Sequence, residues 1–228
     1  STQFHGRKFI GVYDDMNEAI AAAKDGDTIV LDSCEINDAV DINKSITIIG
    51  KYKDANRKAE HEINDDESMF MAPVTVSAKG VVINGVKFGG DSGLIVNADN
   101  VEVLSCFFEL TGNYPKTIKE NRQGMLVECT ENGISDLLVK DCFFRSKKAK
   151  NDTADCFMSF EKITNFTMDN CACTNVATAF QNDREGLNTY KNLITTWNES
   201  WQLCCQAFLK GDGKLSSIGA DTLNMDET

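Results

Sequence analysis

Along the middle of the chain one pattern of apolar and polar positions returns four times: Val81-Val-Ile-Asn-Gly-Val-Lys-Phe88, Val101-Glu-Val-Leu-Ser-Cys-Phe-Phe108, Leu137-Leu-Val-Lys-Asp-Cys-Phe-Phe144 and Phe166-Thr-Met-Asp-Asn-Cys-Ala-Cys173. Each copy alternates apolar and variable positions, passes a small or amide-bearing turn residue, and alternates again. Strand alternation therefore buries four side chains per copy, two on either side of a corner. The inward columns are Val81, Val101, Leu137, Phe166; Ile83, Val103, Val139, Met168; Val86, Cys106, Cys142, Cys171; and Phe88, Phe108, Phe144, Cys173. Like stands over like in each column, while outward positions wander among Lys, Glu, Asp and Thr. Stacking of successive copies is the physical reason for such matching.

The copies start at 81, 101, 137 and 166, offsets of 20, 36 and 29 residues. One short period beside longer ones reads as a fixed coil with insertions at a corner. Between copies lie the short apolar runs Gly93-Leu-Ile-Val96, Gly124-Met-Leu-Val127, Cys156-Phe-Met158 and Ala177-Thr-Ala-Phe180, which supply a third strand per coil; Leu193-Ile-Thr-Thr-Trp197 is a weaker fifth copy. Three short strands per coil predict an all-β parallel β-helix, a solenoid.

Upstream, Asp15-Met-Asn-Glu18 has the pattern of a capping box and opens a run of helix formers through Lys24, with Gly26 as the stop. Strands are expected at Thr28–Leu31, Val40–Ile42 and Ser45–Gly50. This order of helix, Gly-Asp-Thr-Ile, Asn-Lys-Ser-Ile-Thr-Ile-Ile-Gly and repeated Val-x-Ile-x-Gly-Val-x-Phe coils resembles the pectin-lyase-like right-handed β-helix superfamily. The resemblance covers roughly residues 8–208. It implies a right-handed, single-stranded parallel β-helix whose short N-terminal α-helix caps the open end. The expected organisation is one domain over 1–228: cap and first strand at 8–31, coils over 32–208 with insertions at 51–72, 111–123 and 145–152, and a tail at 209–228.

With 228 residues, 42% hydrophobic, the chain can bury a sizeable core. No run of about 18 apolar residues suggests a membrane span. No basic region followed by an apolar one opens the chain, so no secretory signal is expected in it, and Ser1 is the kind of residue that removal of an initiator Met leaves. A net charge of -12 argues against sequence-independent nucleic-acid binding, which needs a cationic face, and fits a solvated surface or a basic partner.

Nine cysteines raise disulfide and metal chemistry, but the number is odd and Cys106, Cys142 and Cys171 share an inward column. They read as small buried hydrophobes, free thiols suited to a reducing compartment. Zinc would want paired Cys-x-x-Cys or Cys/His sets; the chain has Cys171-Ala-Cys173, Cys204-Cys205 and only His5 and His61. No cofactor or metal is expected, and Asn64-Asp-Asp-Glu67, rich in oxygens that suit calcium, reads as a solvated loop.

The resemblance also raises polysaccharide cleavage. The superfamily's polygalacturonases carry Asn-Thr-Asp, Asp-Asp, Gly-His-Gly and Arg-Ile-Lys signatures; Gly-His-Gly and Arg-Ile-Lys are missing here, and Asp65-Asp66 lies in an insertion. The Trp-x-Asp-His signature of pectate lyases is missing too. No catalytic residue carries over, and Asp32, Glu35, Asp38 and Asp41 read as the solvated face of the first coil. The expectation is a noncatalytic structural protein, a virion decoration or fibre component assembled in a host cytoplasm. Its partners would be copies of itself, as a homotrimer, and a larger assembly such as a capsid. The alternative is a secreted or cell-surface protein that binds or cleaves polysaccharide. For it, Trp197, Trp201 and nearby Tyr190 offer a sugar-stacking platform or else a cap on the last coil, and Tyr114, in the 111–123 insertion, offers a partner contact.

Overall fold

Successive strands are dealt in rotation to three parallel sheets. The structure, a computed structural model, describes residues 11–58, 66–90, 92–110, 125–127, 133–146, 155–159, 163–174, 178–182, 188–191, 193–197 and 223–227. Sheet A contains β1 (Thr28–Val30), β4 (Thr47–Ile49), β7 (Val82–Asn84), β10 (Glu102–Leu104), β14 (Leu138–Lys140), β18 (Phe166–Asp169) and β21 (Asn188–Lys191), in that order. Sheet B contains β2 (Cys34–Ile36), β5 (Ser68–Phe70), β8 (Lys87–Phe88), β11 (Phe107–Leu110), β15 (Phe143–Ser146), β19 (Ala172–Thr174), β22 (Leu193–Trp197) and β23 (Leu223–Glu227). Sheet C contains β3 (Val40–Ile42), β6 (Val74–Val76), β9 (Leu94–Val96), β12 (Met125–Val127), β16 (Asp155–Ser159) and β20 (Thr178–Asn182). A two-stranded pair, β13 (Ile134–Ser135) with β17 (Ile163–Thr164), precedes the sheet A strands of two rungs. Among the described residues the architecture is all-β with one short helix, and is compatible with a parallel β-helix.

The register reproduces the columns. Ile83 pairs with Val103, Val103 with Val139 and Val139 with Met168; Phe88 pairs with Phe108, Phe108 with Phe144 and Phe144 with Cys173. Ile48, Ile83, Val103, Val139 and Met168 are fully buried, in one core with the Val86–Cys106–Cys142–Cys171 column. Phe88, Phe108 and Phe144 stack with ring centroids 4.5 Å apart at both steps, and Phe70 joins below Phe88 at 5.5 Å. Four runs expected to be third strands lie in β9, β12, β16 and β20 of sheet C.

The corners explain the turn residues. Gly85, Ser105, Asp141 and Asn170, one per copy, all have positive φ, between 51° and 81°, and so do Gly80, Asn100, Asp136 and Asn165, which open the same copies. Left-handed backbone favours Gly, Asn and Asp, which is why those types recur at both ends of the phrase's sheet A strand.

At the N-terminal end, α1 (Met16–Ala22) takes Asp15 as its cap, whose carboxylate accepts the Glu18 amide at 2.9 Å. Met16, Ile20 and Ala23 belong to the same buried core as Val40 and Ile42. Lys44 Nζ donates to the Ile20, Ala21 and Ala23 carbonyls at 2.7–2.8 Å, placing a cation on the helix's negative end. The helix stops at Ala23, whose backbone is already extended; Gly26, expected as the stop, takes its positive φ three residues later, in the turn into β1.

One strand, β2, is not among those expected in the first coil, and other boundaries differ from the expectation. β5 lies inside the expected 51–72 insertion, so the excursion ends before Ser68. β23 lies in the expected 209–228 tail and pairs in parallel with β22. The fifth copy begins earlier than expected, at β21, so that Leu193–Trp197 belongs to sheet B.

Cys106, Cys142 and Cys171 are buried free thiols whose Sγ atoms lie 3.2–3.3 Å from the carbonyl oxygens of Leu104, Lys140 and Asp169; Cys34, in an edge strand, is exposed. Burial pushes the Cys106 and Cys142 thiols well above their ordinary range. A thiol that ionises more easily unfolded than folded stabilises the fold below its unfolded value, near pH 8.5, and that contribution is lost as pH climbs from there toward the folded value. The unfolding free energy from urea denaturation should hold to about pH 8 and then fall, by up to roughly 1.4 kcal/mol per thiol per pH unit, with the fall blunted in a Cys106→Ala/Cys142→Ala variant.

Candidate functional site

After β4 the chain leaves the stack and runs lengthwise along the corner between sheets A and B. The Tyr52 amide donates to Gly85 O at 3.1 Å, and Asp54 and Asn84 exchange hydrogen bonds, Asp54 N to Asn84 Oδ1 at 3.0 Å and Asn84 Nδ2 to Asp54 Oδ1 at 2.9 Å. Further along, Arg57 Nε donates to Ser105 O at 3.2 Å, the Arg57 amide to Asp141 O at 3.1 Å, and Asn170 Nδ2 to Asn56 Oδ1 at 3.0 Å. Residues 51–58 are thus a strap across four successive rungs, each held at its left-handed corner residue or the one beside it. The approach is close: a Cβ on Gly85 would lie 2.1 Å from Lys53 N, and one on Gly50 would lie 2.3 Å from Gly85 O. The Lys53 ammonium, then Asn84, hold the Asp54 carboxyl below its ordinary range.

The chain returns at Asp66, which pairs with Lys51 and accepts from Ser33, and then buries Glu67. Arg57, Glu67, Lys87 and Glu109 are 3%, 3%, 4% and 6% exposed. They form a line on the outer side of sheet B. Arg57 Nη2 pairs with Glu67 Oε1, Lys87 Nζ stands 3.9 Å from Glu67 Oε2 and 3.8 Å from Glu109 Oε2, and Arg145 Nη2 donates to Glu109 Oε2 at 3.2 Å. Aromatic faces sheathe the cations: Arg57 lies 4.1 Å over the Tyr52 ring, and Lys87 Nζ and the Arg145 guanidinium lie 5.4 and 5.6 Å from the Phe107 ring. Phe107, stacked on Phe143 at 5.3 Å, forms with Phe143 and Ala172 a second apolar cluster, apart from the main core.

Lys87, Phe107, Phe143 and Ala172 share one outward column by register, and Glu109 pairs with Arg145. Outward positions are thus buried on this face, although their residue types vary among charged and polar ones. Glu67 corrects the solvated reading of Asn64-Asp-Asp-Glu67: Asp66 is exposed, but Glu67 is enclosed by cations. The doublets Phe107-Phe108 and Phe143-Phe144 were the available signal, since two adjacent aromatic residues on a strand need cover on both faces.

Asp32, Glu35, Asp38 and Asp41 are exposed on the first rung, as expected. Among the residues expected to meet sugar or a partner, the register sets Tyr190 beside Met168, in the Ile83–Val103–Val139 column, and Trp197 beside Glu227 at the end of β22. Trp201 and Tyr114 lie outside the described residues. So do 111–123 and 147–152, although β11 and β15 put their starting points on adjacent rungs, with Leu110 paired to Ser146. Among the described residues no three or more His, Cys, Asp or Glu side chains are grouped to hold a metal ion, and no helix is long and apolar enough to cross a membrane. Comparison with known proteins matched no family model, no curated protein and no solved structure to this chain.

Proposed function

We propose that the chain is a noncatalytic structural protein. It is a right-handed, single-stranded parallel β-helix of the pectin-lyase-like kind, decorating or extending a larger particle such as a virion capsid. The observation that carries this reading is the strap: 51–58 binds four rungs lengthwise, and a line of buried charges ties its return to the outer side of sheet B. Such bracing resists sliding and splaying of rungs, the demand placed on a rigid spacer or surface fitting. Right-handedness follows from the strong preference of parallel crossovers for that hand. Virion attachment comes from the resemblance, with the free buried thiols in keeping with assembly in a reducing cytoplasm.

Stiff stacks of this kind associate through flat faces, and a homotrimer is the assembly proposed, with a monomer seated on a symmetric lattice as the other geometry. Light scattering should return three times the chain mass, and the protein should sediment with the particle it decorates. Incubation with polygalacturonate, pectin or bacterial surface polysaccharides, with or without calcium, should release no unsaturated or reducing ends. Sustained release abolished by replacing one carboxylate, such as Asp141 or Asp169, would overturn the reading in favour of polysaccharide cleavage.

A further inference from the structure

Lys87 stands in an arrangement made for chemistry rather than for a simple ion pair. Its ammonium is buried between two carboxylates, 3.9 Å from Glu67 Oε2 and 3.8 Å from Glu109 Oε2. Both gaps exceed a hydrogen bond. Glu67 is polarised end to end: Oε1 is held by Arg57 Nη2, whereas Oε2, facing Lys87, is buried without a hydrogen-bond partner among the described residues. The Phe107 ring closes one side of the amine at 5.4 Å. Burial thus holds the Lys87 and Glu67 side chains side by side and shut away from water, with Glu109 on the other side of the amine.

We propose that Lys87 and Glu67 condense into an isopeptide bond, with Glu109 as the proton relay. Lys87 Nζ attacks Glu67 Cδ, so that the Nζ–Cδ bond forms. Negative charge gathers on Oε1, against the Arg57 guanidinium. Glu109 takes a proton from Nζ and delivers it to Oε2, the Cδ–Oε2 bond breaks, and one water leaves. Amine plus acid give amide plus water, with no oxidant, reductant or activating nucleotide. The net charge of the cluster is unchanged, because one cation and one anion vanish together. Arg57 keeps the amide oxygen, the Ser105 carbonyl and the Tyr52 ring as partners.

The bond would join Glu67, where the chain returns from the strap, to β8, closing the stretch 67–87 with β5, β6 and β7 into a covalent ring of one rung and anchoring the strap's return to it. It goes beyond the structural role proposed above and does not depend on any particle.

Mass spectrometry of the denatured, thiol-blocked full chain tests it. The expected result is a mass below that of the sequence by one water, with trypsin failing to cut after Lys87 and releasing one branched peptide that carries both Lys87 and Glu67. Lys87→Arg and Glu109→Gln should restore the full sequence mass, the second while leaving both bonding residues in place. Glu67→Gln should still link, losing ammonia instead of water and ending at the same mass as the linked parent. A parent chain of full mass that trypsin cuts after Lys87 would overturn the proposal, whatever the variants do.

Discussion

Replacing Phe108 by alanine should destabilise the protein by about 3 to 5 kcal/mol, the range for deleting a buried aromatic side chain. Phe108 is fully buried and stacks against Phe88 on one side and Phe144 on the other, 4.5 Å away in each case and within 7° of parallel. The gap cannot close by collapse. The rungs above and below are fixed by backbone hydrogen bonds, Phe107 N to Val86 O and Phe143 N to Cys106 O, both 3.0 Å. The cavity would remain, adding its own penalty to the lost transfer energy. Lys140→Ala, at an exposed position of β14 on the next rung, should change stability by no more than about 0.5 kcal/mol. Urea denaturation of the two variants measures both, and equal effects would mean that the inward and outward assignments are wrong.

The second large effect is expected at Arg57, where alanine should cost about 3 to 5 kcal/mol although the residue lies in no strand. The loss has two parts. The Ser105 carbonyl would lose its side-chain donor, and Glu67, enclosed on the outer side of sheet B, would lose the guanidinium that balances its Oε1. Removing Arg57 leaves buried Glu67 facing only Lys87 among the described residues, 3.9 Å away, which is why the cost far exceeds that of a surface ion pair. Lys53→Ala, which removes the exposed partner of Asp54, should be close to neutral. Equal, small effects at Arg57 and Lys53 would mean that the strap rests on the corner without holding it.

The stacked part of the fold was legible because repetition leaves a trace that single elements do not. Val103 alone says nothing, but Ile83, Val103, Val139 and Met168 at one phase of four similar phrases require a stack, and the observed register pairs them in that order. The corner residues were legible for a different reason. Gly85, Ser105, Asp141 and Asn170 look dissimilar but share tolerance of left-handed backbone or small size. β2 and β5 escaped because Cys34–Ile36 and Ser68–Phe70 are three residues long and stand outside the phrase; only the pairing of Phe70 with Phe88 reveals the second as a rung. The helix stop was placed too late because Gly26 does take the expected positive φ, but for the turn after the helix.

The charged line was hidden for a physical reason. Its members are drawn from β8, β11, β15, the strap and the chain's return just before β5, and an ion pair between residues 10 to 36 apart in sequence leaves no periodic mark. Outward Lys, Glu and Arg beside solvated neighbours look like an ordinary polar face. Only the doublets Phe107-Phe108 and Phe143-Phe144 signalled a covered exterior. The strap's route was hidden as well, since Tyr52, Asp54, Asn56 and Arg57 bind corner groups of rungs up to 114 residues away.

Native-state hydrogen exchange measures most directly whether strap and stack form one rigid body. The amides to follow are Tyr52 and Arg57, bonded to Gly85 O and Asp141 O, beside Phe107 and Phe143 within sheet B. If the strap is clamped to four rungs, its two amides should exchange only when the sheets open, with protection matching that of Phe107 and Phe143 and falling together with it in Arg57→Ala. Rapid exchange at Tyr52 and Arg57 while Phe107 and Phe143 stay protected would contradict the bracing, and with it the structural role built on it.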